Sequence, residues 1–134
     1  LGEITGLPVE RLEDCVAAAR LLLRHGAERV LVSLDRDGAF LLDRDGAFLL
    51  DREGLLLARA PEVEVRSSVG AGDAMLAWFT AALLTGLPRE EALRRAVAAG
   101  SAACLHYGTH APSREEAEAL LSRVEIDPAG NLPD

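Results

Sequence analysis

Residues Leu34-Asp35-Arg36-Asp37-Gly38-Ala39-Phe40-Leu41 recur letter for letter as Leu42 to Leu49. A looser third copy follows as Leu50-Asp51-Arg52-Glu53-Gly54-Leu55-Leu56-Leu57. Each copy is a polar turn closed by Gly and followed by apolar residues, which predicts successive β-hairpins over 34–57. The units are too short and too few for a solenoid. A calcium loop is excluded: with Asp35, Asp37 and Gly38 at the third, fifth and sixth positions, the twelfth falls on Arg44, a cation in place of the bidentate Glu. A local duplication inside a hairpin is the remaining reading. One extra strand would reverse the chain direction, so the surplus octad is expected to bulge out or to form an added arm. Identical copies also specify strand register poorly.

The segments around the repeat read as alternating helices and strands. Pro8 suits a helix start, and Leu12, Val16, Ala19 and Leu23 recur at helical spacing across Val9 to His25, with Gly26 as the stop. Arg29 to Leu34 is a continuous apolar run of the kind buried on both faces in a parallel sheet. The Val63–Val65 alternation after Pro61 predicts a strand with one wet face. Ala71 to Leu84 is apolar nearly all round, which predicts a buried helix. Gly86-Leu87-Pro88 breaks it, and the next helix is expected from Arg89 to about His106, charged early and then small-residued from Ala98 to Ala103. Ser113-Arg114-Glu115-Glu116 is a capping box for a last helix reaching about Val124. This order predicts an α/β fold.

Composition narrows the function classes. The chain has 134 residues, 49% of them hydrophobic, which suits one domain with a single core. A net charge of −8, without a basic cluster, argues against a nucleic-acid surface. No apolar run reaches the length of a membrane span. Cys15 and Cys104 both lie in apolar helical stretches, as core residues of a reducing compartment do, so a cytoplasmic location is expected. The first residue is Leu1 rather than Met, and the expectation is a fragment.

One stretch carries chemistry. Ser67-Ser68-Val69-Gly70-Ala71-Gly72-Asp73-Ala74 joins a β-like run to the apolar helix. Gly70 and Gly72 let the backbone turn tightly and approach a ligand, and the helix start presents unpaired N–H groups at the positive end of its dipole. That arrangement attracts anions, phosphate above all. Asp73 then has two readings: a carboxylate complementing the dipole, or a base beside a phosphoryl acceptor. There is no Gly-x-x-x-x-Gly-Lys-Ser/Thr and no Gly-x-Gly-x-x-Gly after the first strand, so neither a P-loop nor a dinucleotide fingerprint is present. His25, His106 and His110 lack zinc-site spacing, and Trp78 reads as a core residue.

Ser67 to Asp73 resembles the C-terminal signature of the ribokinase-like, PfkB-type carbohydrate kinases. Its Ser-Ser-Val lead-in is most similar to the branch of 1-phosphofructokinases and tagatose-6-phosphate kinases. The similarity extends to Arg24-His25-Gly26-Ala27, Val30–Leu34, Glu91–Ala103, Gly108-Thr109 and the capping box at Ser113. The resemblance implies a partial ribokinase-like three-layer sandwich with a mostly parallel sheet over residues 1–126, the octad hairpins at 34–57, and a tail at 127–134. It implies that Gly70, Ala71 and Gly72 stabilise charge on the transferring phosphate and that Asp73 takes the proton of the sugar hydroxyl. Ser33 and Gly38 would belong to the nucleotide loop, Ser68 to the phosphate site, and Gly108 and Thr109 to the adenine-side wall. The implied substrates are ATP, carried with Mg²⁺, and a small phosphorylated sugar, fructose 1-phosphate foremost; a homodimer is the implied assembly. No metal ligand is assigned in this chain, because the family's Asn-x-x-Glu motif and its sugar contacts precede the matching region. Little activity is therefore expected from the chain alone. Two residues depart from the family pattern: Asp35 replaces the first Gly of the nucleotide loop, and Trp78 replaces a Gly or Ala. Asp35 and the duplication favour an alternative, a non-catalytic nucleotide-binding remnant or interaction module.

Overall fold

The computed structural model describes residues 12–34, 46–61, 63, 70–105 and 112–127. In chain order these form α1 (Leu12–Arg24), β1 (Arg29–Leu34), β2 (Gly46–Asp51), β3 (Gly54–Arg59), α2 (Ala71–Leu84), α3 (Arg89–Ala103), α4 (Arg114–Leu121) and β4 (Glu125–Asp127). Helix ends follow local chemistry. After α1 the Ala27 N–H donates to the Leu22 carbonyl at 3.0 Å and the Gly26 N–H to that of Leu23 at 3.2 Å, the paired bonds of a Schellman closure. The end of α2 repeats it, with Leu87 donating to Ala82 at 3.1 Å and Gly86 to Leu83 at 3.0 Å. At α4 the capping box is complete: the Glu116 N–H donates to Ser113 Oγ at 3.1 Å and the Ser113 N–H to Glu116 Oε1 at 2.9 Å.

The strands lie side by side in the order β1-β2-β3-β4. Helices cover both faces. Phe48, Leu50 and Leu57 point to one side, where Cys15, Val16 and Ala19 of α1 close over them together with Val30. Ala47, Leu49, Leu56 and Ala58 point to the other, against Met75 and Phe79 of α2, Leu93, Ala96 and Val97 of α3, and Leu120 of α4. The strict alternation along β2 divides the two cores at the sheet. The cysteines form no disulfide, and Cys15 is buried in the α1 core.

Four expectations change. First, every pairing among the described residues is antiparallel: β1 with β2, β2 with β3, and β3 with β4. A continuous apolar run reports burial on both faces and not strand direction, and the short β2–β3 connection at Arg52-Glu53 can only join antiparallel neighbours. Second, β4 occupies residues expected as the end of the domain and the start of the tail; Asp127 pairs with Leu57. Third, α2 is not buried all round. Met75, Phe79 and Ala82 face the core, while Leu76 is 60% and Leu84 82% exposed. Fourth, two helices stop early, α3 at Ala103 and α4 at Leu121. Of the expected Val63–Val65 strand only Val63 is described, outside any strand and packed at the core's edge.

The octads meet the sheet unevenly. β2 runs from the Gly of the second copy into the third, and β3 takes the apolar end of the third. Most of the first copy lies outside the described residues. Arg89, the first residue of α3, holds the β2–β3 hairpin. Its Nε donates to Asp51 Oδ2 at 2.9 Å, and its Nη2 to the Gly54 carbonyl at 2.6 Å while lying 2.8 Å from Asp51 Oδ1. A cation in a first helical turn opposes the dipole, by about 0.3–1 kcal/mol, and the Asp51 carboxylate offsets that cost.

Candidate active site

The candidate site starts where α2 starts. Gly70 is the N-cap residue with φ 86° and ψ −5°, a left-handed conformation that L side chains resist. A residue with a Cβ there would strain the turn that aims the chain into α2. The first amide bonded within the helix is Ala74, whose N–H donates to the Gly70 carbonyl at 3.0 Å. The N–H groups of Ala71, Gly72 and Asp73 therefore have no acceptor inside the helix, and no side chain caps them from Gly70. Gly72 is exposed, and a Cβ built on it would meet nothing within 4 Å. Among the described residues the surface beside Gly72 is therefore open. Asp73 follows in the same turn with its side chain exposed. Open space, converging amides and the positive end of a fourteen-residue helix suit a phosphate, with a carboxylate beside it.

The floor under this turn is α3. A Cβ on Gly100 would lie 2.7 Å from Met75 Cγ and 3.4 Å from the Ala71 carbonyl oxygen. Gly100 thus sits directly beneath the first turn of α2, and its lack of a side chain sets how closely that turn approaches α3. The run of small residues reads in sequence as close packing, and in the fold it packs α2, with no bound partner needed to explain it.

The other expected positions are spread. Ser33 has its backbone in β1, opposite Ala47. Gly38, Ser68, Gly108 and Thr109 lie outside the described residues, as does Asp35. Trp78 is half-buried at the core's edge and lines a groove with Ala77, Ala81, Thr85, Arg95 and Arg114. Among the described residues no three His, Cys, Asp or Glu side chains gather as a metal-binding group. No described helix is long and apolar enough to cross a membrane.

Known proteins align along nearly all of this chain. It is 33% identical to the 1-phosphofructokinase of Bacillus subtilis over 126 residues, which is 94% of this chain and 38% of that one. It is 39% identical to the 1-phosphofructokinase of Haloferax volcanii, again over 94% of this chain and 39% of the relative. Among solved structures, phosphofructokinase-2 from Escherichia coli in complex with potassium superposes with a TM-score of 0.78 at 32% identity, covering 91% of this chain and 37% of its own. Ribokinase of Arabidopsis thaliana, complexed with ribose and ATP, superposes at 0.73 and 28% identity, covering 90% and 37%. The chain spans less than two-fifths of the length of these relatives. The model of the pfkB family of carbohydrate kinases matches residues 1–117, and this chain belongs to that family.

Proposed function

We propose that the chain is the phosphoryl-transfer part of an ATP-dependent sugar-phosphate kinase acting on fructose 1-phosphate. The carrying observation is the start of α2: a left-handed Gly70, open space at Gly72 and an exposed Asp73 in one turn. The substrate class rests on similarity to 1-phosphofructokinases.

In this reading the amides at Gly70, Ala71 and Gly72 face the γ-phosphate of ATP. The sugar hydroxyl oxygen forms a bond to that phosphorus as the bond to the β-bridging oxygen breaks, and ADP leaves with the electron pair. Negative charge spread over the transferring group is met by N–H dipoles already aimed at it, so little reorganisation is needed during the step. Asp73 accepts the proton of the attacking hydroxyl. Mg²⁺ bound with ATP would offset phosphate charge; the described residues supply no ligand set for it, and no step here depends on one. Ser33, Gly38 and Ser68 would contact the phosphates, and Gly108 and Thr109 the adenine side. The sugar would be held by residues outside this chain, so turnover by the chain alone is expected to be slight.

Calorimetric titration with ATP tests the nucleotide half of this proposal, and Asp73→Asn tests the base. ATP should bind both the unmutated chain and the variant. When the remainder of a 1-phosphofructokinase is supplied in trans or by fusion, turnover should fall about 10²- to 10⁴-fold in the variant. Absence of ATP binding to the unmutated chain would remove the nucleotide reading. ATP binding without turnover in the completed enzyme would favour the second reading, a nucleotide-binding remnant or interaction module. Asp35, standing where the resemblance would have a Gly, and the duplication that contains it favour that alternative.

A further inference from the structure

β2 is Gly46-Ala47-Phe48-Leu49-Leu50-Asp51, and Gly38-Ala39-Phe40-Leu41-Leu42-Asp43 is the same six letters, eight positions earlier. We propose that β2, an inner strand of the sheet, has two interchangeable occupants, and that the chain exchanges between them by slipping one octad.

The sheet supplies the reason. An even slip keeps every side chain on its own face, whereas an odd one would turn the apolar set inside out. Phe40 would enter the α1 core where Phe48 now sits, and Leu41 would enter the opposite core in place of Leu49. Both present occupants are fully buried. The neighbours are kept as well. Leu34, now opposite Gly46, would pair with Gly38; Gly54, now opposite Asp51, would pair with Asp43. The anchor transfers too, because the guanidinium of Arg89 that now grips Asp51 would meet an identical carboxylate at Asp43 while keeping the Gly54 carbonyl.

Only the connections differ. In the described register β1 and β2 are joined by 35–45, and β2 and β3 by Arg52-Glu53. After the slip they would be joined by 35–37 and by 44–53, so the surplus octad passes from one side of the strand to the other. Loop-closure cost grows only with the logarithm of length for a flexible loop, so moving the octad from one connection to the other changes it little. Local contacts tilt the balance. The Glu53 N–H donates to Asp51 Oδ1 at 2.9 Å, and Arg89 Nε lies 3.2 Å from Glu53 Oε2, both in favour of the described register. The slipped register gains a short hairpin at Asp35-Arg36-Asp37, a common loop length. The segment after β1 is thereby long in one state and short in the other.

Fluorine NMR on the chain labelled with 4-fluorophenylalanine reads this directly, since Phe40, Phe48 and Phe79 are its only phenylalanines. Phe40 and Phe48 should each give a buried and an outside signal, with buried fractions that add to one site. In Phe48→Ala the buried signal should pass wholly to Phe40, and the folding constant should fall by no more than about tenfold. Phe40→Ala/Phe48→Ala leaves no aromatic for the slot, and its folding constant should fall by about a hundredfold or more. Deleting 35–42 leaves one copy and should give a single set of signals. The proposal is overturned if Phe40 never shows a buried signal, if Phe48→Ala is as damaging as the double variant, or if two sets persist after the deletion.

Discussion

α2 and α3 pack against each other, and their compositions point the wrong way. α2 carries Met75, Leu76, Trp78, Phe79, Leu83 and Leu84, yet only Met75, Phe79 and Ala82 are buried. α3 opens with Arg89, Glu90 and Glu91, yet from Ala96 to Ala103 every residue is buried. Position explains the inversion. α3 lies between α2, the sheet and α4, and the small side chains from Ala96 to Ala103 let those neighbours approach on several sides. α2 is the outer layer, and its second apolar stripe (Leu76, Ala77, Ala81, Leu84) faces outward. Apolar content therefore ranks the surface a helix could bury, while small-residue content marks the helix that neighbours surround.

The sharpest way to break this comparison is to remove bulk from the helix that looks polar. Leu93 of α3 is fully buried, and Leu93→Ala should cost about 3 kcal/mol in urea denaturation, within the range for a cavity that collapses only partly. A loss below about 1 kcal/mol would mean that α3 is not the centre of this core.

The next effect is smaller and lies under the candidate site. Gly100→Ala places a methyl 2.7 Å from Met75 Cγ and 3.4 Å from the Ala71 carbonyl. Alanine in a helix interior gains roughly 1 kcal/mol in propensity over glycine, and the overlap opposes that gain. The overlap falls on Met75 Cγ, near the root of a buried side chain, so relief needs the whole side chain to rotate, while the Ala71 oxygen stays in ordinary contact. A net loss of about 1 kcal/mol is expected, relieved by at least ~0.5 kcal/mol when Met75→Ala is introduced with it. Additive losses would show that the two helices do not meet through this pair.

What could be read in advance follows the range of the interactions. Helix stops at Gly26 and Gly86 and the Ser113–Glu116 cap are made within a few residues, and the sequence patterns there match the hydrogen bonds formed. The β3–β4 pairing, the outward face of α2 and the Arg89–Asp51 clamp are set by partners distant in the chain. A single-segment pattern does not contain them. β4 has only Glu125, Ile126 and Asp127, too few for a periodicity to show. The candidate site divides in the same way. The placement of Gly70, Gly72 and Asp73 around a helix start was legible because glycine spacing reports local backbone conformation. Whether the positions from Ser33 to Thr109 converge on one nucleotide depends on long-range packing.

The smallest effect tests the other half of the comparison. Leu84 is 82% and Leu76 60% exposed, so neither contributes much area to the folded chain. Leu84→Gln and Leu76→Gln should each change stability by less than about 0.5 kcal/mol, as surface substitutions do. Their effect should appear in association instead. An apolar stripe facing water favours contact between chains, and the polar variants should stay monomeric to higher concentration in sedimentation measurements. If Leu84→Gln costs as much as Gly100→Ala, the outer face of α2 is already covered in solution. The contrast between the two helices would then be one of partners rather than of burial within one chain.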